Sequence, residues 1–149
     1  MGIANELQQT NFVSEEAKAI VNVIFTGNWI AYQQQELLKP FDLSMQQYNV
    51  LRILRGQNGK PMTVLAIIER MLDRTSNASR LVDKLVEKKW VLRRECPNDR
   101  RAVDVLILPE GLALLQQLDE IQNQWVKRFE HMTQEDLIKL NELLDLFRN

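Results

Sequence analysis

The sequence predicts a mostly α fold with a small β-wing, and three stretches carry that prediction. In residues 75–89, Ala78, Leu81, Val82 and Leu85 recur at helical spacing and form one apolar stripe that must face a core. In residues 91–108, Val91 to Cys96 and Ala102 to Leu108 read as two antiparallel strands, the second with Val103, Val105 and Ile107 on one face. Between them Pro97, Asn98 and Asp99 mark a tight charged turn that carries Arg100 and Arg101 at the hairpin tip. The third observation is helical apolar patterning at both ends, over 14–39 and 109–148.

The polar side of the central helix suggests what it meets. Ser76, Asn77, Arg80 and Lys84 lie opposite the apolar stripe, and positions 77, 80 and 84 share a helix face. Asn pairs with adenine, Arg pairs with guanine, and Ser or Lys holds phosphates. Taken alone, such a face is equally an ordinary solvated surface. The arginine-tipped hairpin that follows favours the nucleic-acid reading: a helix-turn-helix and wing place one helix in a major groove and the tip in an adjacent minor groove, where inserted arginine is attracted. Asp99, two residues from Arg101, is placed to hold the guanidinium extended by a charge-assisted hydrogen bond.

The run from Asp73 to Leu85, followed by Asp99-Arg100-Arg101-Ala102-Val103, resembles the MarR family of bacterial winged-helix transcriptional regulators. The resemblance also takes in Leu43 to Leu54 and covers roughly residues 40–112. It implies a winged helix-turn-helix over 43–108, with the terminal helices forming a dimerisation module in a single 1–149 domain. It further implies a homodimer on double-stranded DNA at a pseudo-palindromic operator, usually as a repressor, often released by a small aromatic ligand or by oxidation. Carried over by position, DNA contacts fall on Ser76, Asn77, Ser79 and Arg80, with Lys84 as a phosphate contact, Arg101 braced by Asp99, and Arg100 beside the backbone. Thr63 and Arg74 complete the candidate set. The chain departs from the family at Leu108, where Thr is usual: Leu accepts no cap hydrogen bond, although Pro109 and Glu110 suit the start of a helix.

At 149 residues and 45% hydrophobic, the chain suffices for one domain with a substantial core. Its net charge of −1 divides into −3 over 1–43, +2 over 44–69, +5 over 70–101 and −5 over 102–149. Positive charge coincides with the reading head, and the acidic ends should face away from DNA. The opening Met1-Gly2-Ile3-Ala4-Asn5 lacks the pattern of a signal peptide, and no apolar run approaches membrane-spanning length, so a soluble cytoplasmic protein without membrane contact is expected. The single cysteine, Cys96, excludes an intramolecular disulfide and reads as a strand residue without redox duty.

Residues 1–13 read as a polar, partly ordered lead-in. Ser14 caps the first long helix, which ends before Pro40; Ser44 with Gln47 forms a capping box for the second. Tyr48, Val50, Leu51 and Leu54 point to a core, as do Leu65, Ile67, Ile68 and Met71 in a helix capped by Thr63. The turn lies near Leu72 to Arg74, with Thr75 or Ser76 capping the reading helix. After the wing, Leu112, Leu115, Leu118, Ile121, Trp125 and Phe129 trace one amphipathic helix, and Thr133 with Asp136 starts another carrying Leu137, Leu140, Leu143, Leu144 and Phe147. A small winged domain cannot cover this helical hairpin together with the first helix, which favours a second copy over folding back.

An enzyme is not expected, because His131 and Glu135 make only one i,i+4 pair and no phosphate loop, thiol pair or partnered carboxylate cluster is present; no cofactor or metal is implied. The rival reading is a winged helix serving protein–protein contacts without specific DNA binding. Trp29, Tyr32 and Tyr48, with Phe25 and Trp125, are the candidates for an aromatic effector crevice, against the alternative that they are core.

Overall fold

The computed structural model describes the backbone of residues 1–149 and all side chains except those of Arg100 and Arg101. A short α1 (Ile3–Glu6) precedes the long α2 (Glu15–Leu38), a 3₁₀ turn at Lys39–Phe41 and α3 (Met45–Arg55). Strand β1 (Met62–Thr63) leads into α4 (Val64–Arg70) and α5 (Ala78–Glu87), followed by the hairpin β2 (Val91–Cys96) and β3 (Asp99–Ile107). The chain closes with α6 (Pro109–Val126), a 3₁₀ turn at Lys127–Phe129 and α7 (Gln134–Phe147). The mostly helical winged-helix architecture is therefore as expected.

Local chemistry sets the boundaries. Ser14 accepts from the Ala17 N–H to start α2. Ser44 and Gln47 exchange hydrogen bonds of 3.1 Å each way in the capping box of α3, and Thr133 and Asp136 do the same at α7. The Thr133 hydroxyl and backbone N–H hold the Asp136 carboxyl below its ordinary pKa, so this cap contributes stability above that range and loses it as pH falls. Leu108 makes no side-chain cap at α6, where Pro109 occupies the first turn. Just past the C-cap of the reading helix, Lys89 lies in the left-handed region at φ 59°, while the Trp90 N–H reaches back to the Leu85 carbonyl.

One core unites these elements. Ala78, Val82 and Leu85 of α5 are buried with Leu51 and Leu54 of α3, Leu115 and Leu118 of α6, and Val91 and Val105 of the sheet. Burying each larger aliphatic side chain is worth about 1.5–3 kcal/mol. Arg55 of α3 forks onto Asp119 of α6, with Nη1–Oδ2 at 2.7 Å and Nη2–Oδ1 at 3.0 Å, tying the winged part to the carboxy-terminal helices. The sheet is antiparallel in the order β1-β3-β2.

Ile3 is buried within α1, so the lead-in is partly ordered, as expected. Several other local expectations are corrected. Strand β1 was not expected; it pairs Met62 with Val105 and Thr63 with Asp104. Strand β3 begins at Asp99, which pairs with Cys96 beyond an irregularity at Glu95/Cys96, so Arg100 and Arg101 belong to the strand rather than the turn. Leu65 and Leu112 are exposed rather than core; α6 buries Leu115 and Leu118 as its pattern predicts, together with Gly111 and Leu114. Phe129 lies in the 3₁₀ turn after α6.

The terminal helices are apolar beyond their cover. Only Leu38 of α2 is buried, while Ile20, Val23, Ile24, Trp29 and Tyr32 are exposed. Helix α7 buries no residue and exposes Ile138, Leu140, Leu143, Leu146 and Phe147. No helix is long and apolar enough to cross a membrane among the described residues.

Gly111 offers a sharp test of the joint between the hairpin and α6. A Cβ there would lie 2.5 Å from the Trp90 carbonyl oxygen and 2.9 Å from Ile107 Cγ1, and the first of these is backbone. Gly111→Ala is expected to cost about 1–3 kcal/mol, read as a lower urea midpoint; an unchanged midpoint would show that this joint is not tight.

Candidate nucleic-acid interface

The loop before α5 places its polar face. The Asn49 Oδ1 accepts from the Leu72 N–H at 2.9 Å, fixing the turn to α3. Asp73 Oδ1 then accepts from both the Thr75 N–H at 2.9 Å and the Thr75 hydroxyl at 2.6 Å. The Thr75 hydroxyl chiefly, with its N–H, holds the exposed Asp73 carboxyl below its ordinary range. Asp73 is therefore engaged with its own loop.

The helix cap is Asn77, not Thr75 or Ser76. Its Oδ1 accepts from the Arg80 N–H at 3.1 Å, and α5 starts at Ala78, one residue later than a Ser76 cap would start its helix. Thr75 is engaged with the Asp73 carboxylate and the Ser76 N–H bonds to the Asp73 carbonyl, so both residues belong to the turn that precedes the helix. Asn77 Oδ1 is the atom that would accept from adenine, so the cap competes with bidentate pairing at this position.

Ser76, Asn77, Arg80 and Lys84 line one groove of about 420 Å³, joined by Asp73, Thr75, Leu81 and Gln46. Arg80 is exposed, and among the described residues its guanidinium has no ion-pair partner. Lys84 lies 3.4 Å from Glu87, with both side chains more than half exposed, so this pair is worth at most about 1 kcal/mol and exchanges readily for a phosphate. Gln46, at the second position of α3, was missed by sequence reasoning because only the packing of α3 against α5 brings it here.

Other candidates stand outside this groove. Ser79 and Arg74 are exposed on the first turn of α5 and in its preceding loop. Thr63 is half-buried, its hydroxyl accepting from the Ala66 N–H at the start of α4. Asp99 is exposed at the start of β3, and the side chains of Arg100 and Arg101, with the expected Asp99–Arg101 brace, lie outside the described residues. Arg93 of β2 pairs with Asp83 of α5, tying the wing to the reading helix.

Two of the aromatic candidates, Trp29 and Trp125, meet through Phe129. Tyr48 is buried in the core, which raises its phenol pKa, partly offset by Arg52. Trp29 lies edge-on to Phe129 at 6.3 Å between centroids, and Tyr32 is exposed. Phe129 also contacts Trp125, centroid to centroid at 5.1 Å. His131 Nδ1 sits 3.0 Å from the Arg128 carbonyl oxygen.

The model of the MarR family matches residues 43–103, which span α3, α4, α5 and most of the wing. The HTH-type transcriptional regulator YpoP of Bacillus subtilis (strain 168) is 34% identical over 103 residues, covering 68% of this chain and 72% of that one. The chain belongs to the MarR family. Among solved structures, a MarR transcription factor from Planctomyces limnophilus is 32% identical, covers 93% of this chain and 99% of its own, and superposes with a TM-score of 0.69. A mutant MarR from E. coli complexed with operator DNA is 25% identical, covers 91% of this chain and 97% of its own, and has a TM-score of 0.74. This MarR-family chain is accordingly a DNA-binding transcriptional regulator, not an enzyme.

The Asn77 cap makes a prediction. Asn77→Ala should destabilise the protein by about 1 kcal/mol, whereas Asn77→Ser should stay near the wild-type value. Thermal unfolding of the two variants checks this, and equal loss in both would remove the capping role.

Proposed function

We propose that the protein acts as a homodimer on a pseudo-palindromic operator, α5 of each copy entering a major groove and each wing reaching toward the neighbouring minor groove, and that it represses by occupying that site. The observation that carries the reading is the division of its surfaces. The reading helix turns Arg80, which has no ion-pair partner among the described residues, and the loosely paired Lys84 outward, while α2 and α7 turn out apolar side chains that nothing in their own chain covers.

Exposed apolar surface of this extent favours burial against a like surface, and a second copy supplies one with two-fold symmetry. Segment charge supports the same arrangement. The −3 and −5 ends hold the acidic groups, and a dimer built from them keeps these away from the polyanion while the +7 carried by residues 44–101 meets it. Two-fold symmetry of the protein then requires an inverted repeat, with half-sites about one helical turn apart. Repression follows where such a site overlaps a promoter.

Selection of genomic fragments with the purified protein, followed by gel shifts, tests this reading. The expected product is an inverted repeat whose binding weakens steeply with salt. Arg80→Ala should cost about 1–3 kcal/mol and flatten base preference at one position in each half-site, and Arg101→Ala should weaken binding across sequences. Fragments without an inverted repeat, or Arg80→Ala and Arg101→Ala shifts identical to the wild type, would overturn it.

A further inference from the structure

Lys88 is the residue at which the reading helix ends, serving as the C-cap of α5. Its ammonium is turned away from the groove that Arg80 and Lys84 line. It donates to the main-chain carbonyl of Asp42, lies 3.3 Å from the Asp42 carboxylate, and sits over the Trp90 ring, 5.1 Å from its centroid. Its side chain is only 23% exposed, whereas that of Asp42 is 97% exposed. Water therefore screens the carboxylate attraction, and the carbonyl and the aromatic face contribute most of the hold.

Asp42 is a corner in the chain. It is left-handed at φ 51°, ψ 45°, and its N–H bonds to the Lys39 carbonyl. It separates the end of α2 from Ser44, the cap of α3. Leu38 and Leu43 on either side are buried and pin the corner in the core. Two apolar anchors fix a position more firmly than an angle, since apolar contact is non-directional. The Lys88 contact acts on that angle together with the hydrogen bonds that Gln34 accepts from Gln122 and Gln33 accepts from Arg128 farther up α2. Among the described residues, no other hydrogen bond joins α5 to residues 39–43.

We propose that Lys88 is a positioning residue for DNA binding: it latches the end of the reading helix to the corner from which the α2 arm departs, and so sets the separation of the two reading helices. The proposal rests on the dimeric reading above. Helix α2 has 24 residues. A helix of that length extends about 36 Å, so a rotation of about 10° at the corner moves its far end by about 6 Å. One base-pair step rises about 3.4 Å. A small change at the latch thus exceeds the step by which half-site spacing varies, while leaving each reading face intact.

The test compares wild type, Lys88→Met and Lys88→Arg on three kinds of duplex: the selected operator, the same operator with one or two central base pairs added or removed, and a single half-site. Wild type should prefer one spacing sharply. Lys88→Met should bind the single half-site within about twofold of wild type with an unchanged salt slope. Its affinity for the preferred spacing should fall about tenfold, and the preference over neighbouring spacings should flatten. Lys88→Arg, which can still donate to the carbonyl and stack on Trp90, should restore the preference. Spacing discrimination kept by Lys88→Met overturns the latch alone. A weaker half-site complex with a shallower salt slope makes Lys88 a phosphate contact and also overturns it. Wild type that binds paired and single half-sites equally overturns the dimeric reading and the latch together.

Discussion

The burial of one stripe on α5 is the constraint from which the remaining geometry follows. Ala78, Val82 and Leu85 are each essentially inaccessible to solvent, and a helix fixed along one side has no freedom to choose what its other side presents. Arg80 and Lys84 face outward because their neighbours in sequence are committed inward. The same packing brings the start of α3 alongside α5, which adds Gln46 to a polar groove otherwise built by local sequence. Arg93 and Asp83 extend the arrangement to the wing through an ion pair at the surface.

The terminal helices answer to a different demand. Their apolar faces exceed what the winged part can cover, and α7 contributes nothing to the core of its own chain. Polar ties reach into the arms: the Arg55–Asp119 fork joins α3 to α6, and the Gln122–Gln34 hydrogen bond of 2.7 Å joins α6 to α2. Any regulator that changes the relation between arms and reading heads must act across such ties, because the core beneath them is close-packed and resists continuous deformation.

What was legible in the sequence was what short-range chemistry decides. Ser44 with Gln47 and Thr133 with Asp136 announced their helix starts, since a cap and its partner lie within four residues. The stripe of α5 and the alternation of β3 were equally plain. Less legible were features settled at a distance. Strand β1 spans two residues, too few for any period, and exists only through pairing with Val105 and Asp104. Three adjacent residues, Thr75, Ser76 and Asn77, each suit a helix cap, and the role fell to Asn77 because Thr75 and Ser76 are both drawn into the turn closed on Asp73. Leu65 read as core from its spacing, yet it lies on the uncovered side of a helix too short for two apolar faces. Tyr48 went to the core, while Trp29 and Tyr32 stayed on the exposed side of α2.

The central claim is a division of labour between surfaces: the polar side of α5 meets DNA, and the apolar side of α7 meets a second copy. Photo-crosslinking from single introduced thiols measures both at once, in a Cys96→Ser background that removes the native cysteine. A label at Ser79→Cys should crosslink to operator DNA, and a label at Leu140→Cys should crosslink to another copy of the chain in the same mixture. Transfer to DNA from Leu140→Cys with none from Ser79→Cys would contradict the account.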